Sequence, residues 1–287
     1  MKKQRILISA LIFIVLSSQI YSQRTNSNST NQVELEVILK KCAEYCKKLE
    51  HSSLYFVCIE EIKERLYYFL KPTSIVMRRT GFFSENTYIY DYQLIRKDNK
   101  ITERRNLIEE NGKKKDEKDA PLKTKMFGHK YVVFGPIGLL SEKWQKHHDY
   151  KIVKEEKVKG ERAIVLEAVP HSDQELEHLF GKVWVRKNDF SILKIEWNQK
   201  SMRNFEKIEE VAKELGAEPH ITFISEYTFE KNGIRFPSKY FVREEYSRPY
   251  RRKFKRSETT VTYRDYKYFT VETDVVYKKI PIIFNNQ

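Results

Sequence analysis

The chain has 287 residues, of which 40% are hydrophobic, 33% charged and 13% aromatic. This length suffices for one large domain or two small ones, and the mean hydropathy of −0.65 excludes a polytopic membrane protein. The aromatic content argues against a disordered chain, and the net charge of +14 indicates contact with anionic partners.

The first 22 residues have the pattern of a secretory signal peptide. Three basic residues precede an apolar run from Ile6 to Leu16, which is shorter than the ~20 residues of a membrane span and fits a secretory hydrophobic segment. We expect cleavage after Ser22; the alternative is an uncleaved N-terminal anchor. The protein is therefore expected in the periplasm or cell envelope of a Gram-negative-type bacterium. There, lipid headgroups, cell-wall polymers and acidic proteins are the available anionic partners rather than nucleic acid.

A polar tether and one domain are predicted after the signal peptide. Residues 23–32 form a polar, low-complexity segment that we expect to be disordered. Residues 33–287 contain no convincing linker and are predicted to form a single domain. That domain begins with a helix, because apolar residues recur at spacings of three and four. The members of this stripe are Leu35, Ile38, Leu39, Cys42, Cys46 and Leu49.

Most of the remaining segments alternate with the period of a β-strand. A first strand begins at Leu54 and is predicted to be buried on both faces. Turns at Lys159-Gly160, residues 187–189 and Asn232-Gly233 predict three hairpins. The charged segment 111–121 is predicted as a solvated loop. We count eight to ten antiparallel strands, without the βαβ alternation of a parallel sheet.

Two helical segments interrupt the strands. The segment from Gly135 begins with a proline and is predicted to be a partly helical connector. A second amphipathic helix follows Ser201 and ends near Gly216, and its apolar stripe is Met202, Phe205, Ile208, Ala212 and Leu215.

These elements predict a mainly β (α+β) fold, in which a long antiparallel sheet curls into an unclosed barrel. The N-terminal helix and the inserted helix would cover its apolar face. Two helices cannot cover so many strands, so a concave apolar cavity is expected. The aromatic residues expected to line it are Tyr88, Tyr90, Tyr92, Trp184, Trp197, Phe223, Tyr227, Phe229, Phe236 and Tyr240.

The order of these segments resembles the periplasmic lipoprotein-carrier (LolA/LolB-like) superfamily. The resemblance rests on the signal peptide, the N-terminal helix, the series of long strands, "GKVWVRKNDFSILKIEW" (181–197) and "YTFEKNGIRFPSKYFV" (227–242). It implies an unclosed barrel capped by helices that carries acyl chains between membranes, or a related member that senses envelope stress. This chain is larger, more basic and richer in tyrosine than the typical carrier, and no single functional residue can be transferred.

The function predicted from the sequence is therefore binding of lipid or lipoprotein acyl chains, without catalysis and without a cofactor. The alternative is an envelope structural or adaptor protein that binds a protein partner through a basic surface. A basic strip from Arg248 to Arg256 would contact an anionic membrane surface or that partner, or serve only to keep an edge strand soluble. Its basic members are Arg248, Arg251, Arg252, Lys253, Lys255 and Arg256.

The chain's three cysteines leave two possibilities open. In an oxidising compartment, Cys42 or Cys46 of the helix could form a disulfide with Cys58 of the first strand, stabilising the fold by roughly 3 kcal/mol. Alternatively, all three are buried free thiols. A zinc site is not expected, since only His51 is near them in sequence.

No catalytic motif is present in the sequence. There is neither a Gly-x-Ser-x-Gly elbow nor a phosphate-binding glycine loop. The histidines lack the spacing of a helical metal pair and are predicted to lie on the surface; they are His129, His147, His148, His171 and His178.

Overall fold

The computed structural model describes residues 32–51, 55–68, 82–97, 100–171, 179–203, 205–249 and 253–268. The predicted signal peptide and nearly all of the tether lie outside these residues. No helix within the described ranges has the length and apolar character required to cross a membrane.

The helices are short apart from the first. They are α1 (residues 32–51), α2 (Gly135–Leu140), α3 (Glu142–Gln145) and α4 (Phe205–Glu214), with 3₁₀ turns at Val132–Phe134 and Gln199–Ser201. The strands are β1 (Tyr55–Tyr68), β2 (Phe82–Lys97), β3 (Lys100–Glu110), β4 (Lys113–Glu117), β5 (His148–Val158), β6 (Glu161–Pro170), β7 (Gly181–Arg186), β8 (Ile192–Trp197), β9 (Glu218–Glu226), β10 (Phe229–Lys231), β11 (Ile234–Phe236), β12 (Lys239–Ser247) and β13 (Phe254–Tyr268).

Eleven of the described strands form one antiparallel sheet. Its order is β4-β3-β2-β1-β13-β12-β9-β8-β7-β6-β5, and β10 pairs with β11 in a separate hairpin. The terminal strands β4 and β5 do not pair with each other, so the sheet is not closed into a barrel. This confirms the predicted fold class, although the strands outnumber the eight to ten expected.

One extra strand arises where a loop was predicted. Within the charged segment 111–121, Asn111 (φ 51°) and Gly112 (φ 76°) form a tight turn, and β4 returns along β3. Asn-Gly is the residue pair that tolerates two successive positive φ angles. The loop prediction is therefore wrong, although most of β4 is exposed to solvent as expected.

The first strand is buried on one face, which corrects the prediction of burial on both. Phe56, Cys58 and Ile62 point to the inner face, here defined as the side of the sheet that the helices cover. On the outer face, Val57 and Ile59 are half-buried, whereas Glu61 and Lys63 are exposed. Two carboxylates, Glu60 and Glu64, share the inner face with the apolar residues and are fully buried.

The N-terminal helix covers the inner face together with the connector helices. Ile38, Cys42, Cys46 and Leu49 of its predicted stripe are buried, and each fully buried aliphatic side chain contributes roughly 1.5–3 kcal/mol. Cys46 lies against the Pro136 carbonyl oxygen (3.5 Å), and the Gln145 amide donates to the Leu39 carbonyl oxygen (2.8 Å). The connector α2–α3 therefore belongs to the cover.

The inserted helix α4 contributes less to the cover than the sequence predicted. Phe205 and Ala212 are buried, while Ile208 and Leu215 are half-buried. The helix packs beside β9. An irregular stretch, residues 120–131, also lies against the inner face, where the N–H groups of Lys125 and Met126 donate to Glu64; it is called the covering segment below.

Candidate functional site

An apolar cavity of about 600 Å³ lies between the inner face, the covering segment and α2. This volume is within the range of about 300–1,000 Å³ that small-molecule sites occupy. Its apolar and aromatic lining consists of Met126, Phe127, Tyr131, Val132, Phe134, Leu179, Trp197, Met202, Phe223, Tyr227 and Tyr240.

Four of the ten aromatic residues predicted as lining meet in this cavity: Trp197, Phe223, Tyr227 and Tyr240. The ring centroid of Phe223 lies 5.8 Å from that of Trp197 and 5.1 Å from that of Tyr240. Their spacing follows from the sheet, because β8, β9 and β12 are neighbours and place these residues on the same face.

The polar atoms of this wall are largely occupied within the protein. The Trp197 indole N–H donates to Ser225 Oγ (2.9 Å), and the Tyr227 hydroxyl donates to the Val132 carbonyl oxygen (2.9 Å). Burial raises the pKa of Tyr240 well above its ordinary value, so its hydroxyl stays neutral. Trp197 and Tyr227 therefore present aromatic surface to the cavity rather than free hydrogen-bonding groups.

Three predicted lining residues, Tyr88, Tyr90 and Tyr92, are buried elsewhere on the inner face. The Tyr90 hydroxyl donates to the Pro121 carbonyl oxygen (3.3 Å) and accepts from the Lys123 N–H (3.2 Å). The Tyr92 hydroxyl donates to Glu103 (2.7 Å). Tyr90 therefore contacts the covering segment and Tyr92 contacts the carboxylate of Glu103, and neither lines the cavity.

Phe229 and Phe236 belong to a separate aromatic cluster. Phe229 stacks on Tyr266 with a centroid distance of 4.7 Å, and Phe236 packs against Phe56 at 5.6 Å. Neither lines the apolar cavity.

Trp184 lies on the outer face, and its prediction as a lining residue is wrong. Val183 and Val185 point into the main core, so the period of two turns Trp184 away from it. There it packs with Ala163, Val165 and Leu193 in a small cluster. The Lys194 Nζ lies 4.0 Å from its ring centroid.

The covering segment is attached to the sheet largely through carboxylates. Glu64 Oε1 accepts hydrogen bonds from the backbone N–H groups of Lys125 (2.8 Å) and Met126 (3.1 Å). Glu103 Oε1 accepts from the N–H of Tyr131 (2.8 Å). Buried carboxylates thus replace the backbone ladder that an irregular segment lacks.

Glu60 connects the covering segment to a buried charge network. Arg105 donates to both Glu60 oxygens (2.6 and 3.1 Å), and His129 Nε2 lies 2.8 Å from Oε1. Burial alone would raise the pKa of Glu60, but the charges and hydrogen bonds of His129 and Arg105 outweigh it and lower the pKa to about 2. Glu60 is therefore ionised at neutral pH, and Nε2 of His129 is the donor in their contact.

Two histidines predicted on the surface are buried. His129 packs against Tyr240 with a centroid distance of 4.9 Å, and His148 faces the Trp144 carbonyl oxygen (3.0 Å). His147 is half-buried and His171 lies near Asp149 (3.1 Å), whereas His178 is outside the described residues. Within the described ranges, no group of three or more His, Cys, Asp or Glu side chains could hold a metal ion.

The basic strip does not form a single surface in the described part of the chain. Arg256 Nη1 donates to the buried Glu244 (3.0 Å), while Lys255 pairs with Glu258 (3.3 Å). Arg248 donates to the Leu215 carbonyl oxygen (2.9 Å), and Lys253 is exposed. Arg251 and Arg252 lie outside the described residues. Alternation along β13 sends neighbouring basic residues to opposite faces.

The three cysteines are buried free thiols, so the disulfide that the sequence left open is not formed. Cys42 and Cys46 lie near Tyr150 under the connector helices, whereas Cys58 lies beside Tyr266. The helix cysteines and the strand cysteine thus have different tyrosine neighbours.

Several residues of the candidate site were missed by the sequence analysis. Glu60 lies on the buried face of β1 between Cys58 and Ile62. A charged residue at a position where the alternation predicts an apolar one indicates a buried partner of opposite charge, and this signal could have identified Glu60. Lys130 and Arg203, which also line the cavity, come from irregular chain where no periodicity exists to place them.

No family model and no curated protein matches the chain. Solved structures similar to it include a DUF1329 family protein from Desulfovibrio piger, with 12% identity, coverage of 84% of this chain and 97% of that one, and a TM-score of 0.40. A LolA superfamily protein from Nitrosomonas europaea has 14% identity, coverage of 82% and 94%, and a TM-score of 0.33. An outer membrane lipoprotein-sorting protein domain from Vibrio parahaemolyticus has 13% identity, coverage of 82% and 95%, and a TM-score of 0.35. All three TM-scores are below 0.5, so the function has to be inferred from the residues of this chain.

Proposed function

We propose that the protein is an exported, non-catalytic binding protein for lipid or lipoprotein acyl chains. The observation that carries this proposal is the apolar cavity of about 600 Å³, bordered by Trp197, Phe223, Tyr227 and Tyr240. The predicted signal peptide supports export, and the chain would act as a carrier or sensor in the cell envelope.

The chemistry of the wall favours an apolar ligand. Because the Trp197 N–H and the Tyr227 O–H are already bonded to protein oxygens, a polar ligand would find few partners there. An acyl chain requires none, and it gains about 25 cal/mol for each Å² of apolar surface removed from water. Methionines at 126 and 202 add flexible apolar side chains that can adapt to a chain.

Lipid extraction of the native protein is the first test. We expect mass spectrometry of the mature protein, purified from its own host without detergent, to detect co-purifying lipids with acyl chains. Calorimetric titration of the delipidated protein with fatty acids, fatty alcohols and lysophospholipids should then show saturable binding. If no lipid co-purifies and none of these amphiphiles binds, the adaptor alternative takes its place.

Gly138 offers a way to block the cavity without a clash. It lines the cavity, and a Cβ added there would meet no heavy atom within 4 Å. We expect Gly138→Leu to occupy part of the cavity and weaken acyl-chain binding at least tenfold, whereas Gly138→Ala should bind nearly as the wild type. Equal binding by all three proteins would place the ligand elsewhere.

The positions of the tryptophans allow the ligand to be located. A bromine-substituted fatty acid quenches an indole that it touches, so Trp197 should be quenched and Trp184, on the outer face, should not. Quenching is therefore expected to persist in Trp184→Phe and to fall strongly in Trp197→Phe, with binding of both variants verified by calorimetry. Quenching that depended on Trp184 would contradict the proposed site.

A further inference from the structure

The apolar cavity adjoins a polar groove of about 860 Å³. The groove lies between β3 and the covering segment, and its walls include Thr102, Arg104 and Asp119. Residues 128–131 and Arg203 line both spaces. The cavity and the groove therefore share one rim, where an apolar environment meets a polar one.

This rim carries two positive charges. Lys130 and Arg203 are the only Lys, Arg, Asp or Glu side chains among the described residues that line the apolar cavity. Both are exposed, and neither forms an ion pair with another residue in the described part of the chain. By contrast, Arg104 and Arg105 of the groove are paired with Asp119 (2.7 Å) and Glu60 (2.6 Å).

The carboxylates of the groove are already engaged. Glu103 accepts from Arg105 (3.0 Å), from the Tyr92 hydroxyl (2.7 Å) and from the N–H of Tyr131 (2.8 Å). Asp119 is held by both Nε and Nη2 of Arg104. With Arg104 and Arg105 matched by carboxylates, the charges of Lys130 and Arg203 remain uncompensated at the rim.

We propose that this rim binds the anionic headgroup of an amphiphile whose acyl chain occupies the apolar cavity. This inference rests on the proposed function and specifies its ligand as one with a carboxylate or phosphate beside the chain. An anionic group buried in the cavity would lose its hydration without compensation. At the rim it keeps contact with water and gains charge-assisted hydrogen bonds from Lys130 and Arg203.

The test compares anionic with neutral amphiphiles of equal chain length. Dodecanoate and dodecanol form one pair, and lysophosphatidylglycerol and lysophosphatidylcholine form the other, all titrated into delipidated protein as monomers at low ionic strength. We expect the anionic member of at least one pair to bind roughly three- to tenfold more tightly, as two partly exposed ion pairs allow. The pair with the larger ratio identifies the headgroup as carboxylate or phosphate. Added salt should reduce the ratio.

A charge-matched pair of variants assigns the effect to the rim. The double variant Lys130→Gln/Arg203→Gln should lose the preference for anionic amphiphiles while binding dodecanol as before. The control Lys40→Gln/Lys47→Gln removes the same charge from exposed positions of α1 and should keep the preference. Equal loss in both double variants would assign the preference to the net charge of the protein and overturn the inference.

The remaining outcomes separate the inference from the proposed function. If anionic and neutral amphiphiles bind wild-type protein with the same affinity, the headgroup site is wrong although acyl-chain binding stands. If no amphiphile binds, the proposed function fails and the inference fails with it.

Discussion

The hydroxyl of Tyr227 donates a 2.9 Å hydrogen bond to the carbonyl oxygen of Val132, although 95 residues separate them in the chain. Tyr227 follows β9 at the inner face, whereas Val132 begins the turn that leads into α2. The bond therefore joins the sheet to its cover at the edge of the apolar cavity.

Removing this hydroxyl should destabilise the protein. Tyr227→Phe leaves the buried Val132 carbonyl oxygen without this donor, which costs about 1–3 kcal/mol. Urea unfolding of the two proteins should show a lower midpoint for the variant with an unchanged slope. Tyr131→Phe is the control, because the Tyr131 hydroxyl makes only a long, exposed contact with Ile101 (3.4 Å). An equal loss of unfolding free energy in both variants would show that the Tyr227–Val132 hydrogen bond contributes no more to stability than the exposed contact of Tyr131.

Two glycines of α2 should respond to alanine in opposite directions. A Cβ on Gly135 would lie 2.5 Å from the Tyr227 hydroxyl oxygen and 3.1 Å from Cζ2 of Trp197. Gly135→Ala should therefore displace these rings and cost about 1–3 kcal/mol, with weaker acyl-chain binding.

Gly138 is the matched control, since an added Cβ there meets no atom within 4 Å. Gly138→Ala removes a flexible glycine from a helix and should stabilise the protein by roughly 0.5–1 kcal/mol. In thermal unfolding, the midpoint temperature should fall for Gly135→Ala and rise for Gly138→Ala, each relative to the wild type. If Gly135→Ala were also stabilising, the close approach of α2 to the cavity wall would be refuted.

Neutralising Glu60 should loosen the covering segment. Glu60→Gln keeps the shape of the side chain but removes one of the two carboxylates that pair with the buried Arg105, the other being Glu103. Removal of one member of a buried pair costs about 3 kcal/mol. Hydrogen exchange of the N–H groups of residues 125–131 should accelerate in the same variant. Glu85→Gln, which removes a charge paired with Lys63 and Arg65 on the more exposed outer face, should leave both measurements nearly unchanged.

The same carboxylate predicts an acid dependence of stability. The pKa of Glu60 is lowered to about 2 from an ordinary value of 4.5, so its contribution is fully present above pH 4.5 and is lost as the pH falls towards 2. Wild-type stability should decline over that interval by roughly 3 kcal/mol more than that of Glu60→Gln. Parallel declines in urea unfolding from pH 5 to 3 would contradict a depressed pKa.

Local backbone chemistry explains which parts of the fold the sequence could predict. The turns at Lys159-Gly160 and Asn232-Gly233 both contain two successive positive φ angles. The Asn-Gly pair, and the glycine in each turn, indicate this geometry. The equivalent Asn111-Gly112 turn was missed because β4 contains only charged residues and so has no apolar alternation. Periodicity also predicts Trp197, Phe223 and Tyr240 on an apolar face, and in the structure all three side chains belong to the main core.

The cavity itself could not be located in this way. Alternation determines the side of a strand on which a residue lies, but not which part of the inner face stays uncovered. That depends on the covering segment, whose path is determined by long-range bonds to Glu60, Glu64 and Glu103. Trp184 shows the same limit. It lies on the outer face of β7, but its residue type alone does not distinguish it from a tryptophan of the core.

The three cysteines provide a last prediction, on thiol reactivity. Burial raises the pKa of Cys42 to about 12 and raises those of Cys46 and Cys58 as well, so very little reactive thiolate exists at neutral pH. The native protein should therefore react slowly with Ellman's reagent, and the unfolded, unreduced protein should release three thiols per chain at once. One thiol instead of three would show that a disulfide forms in the native protein. Repeating the assay on Cys42→Ala and Cys46→Ala would identify its partner, because only the variant that cannot form the bridge would release two thiols.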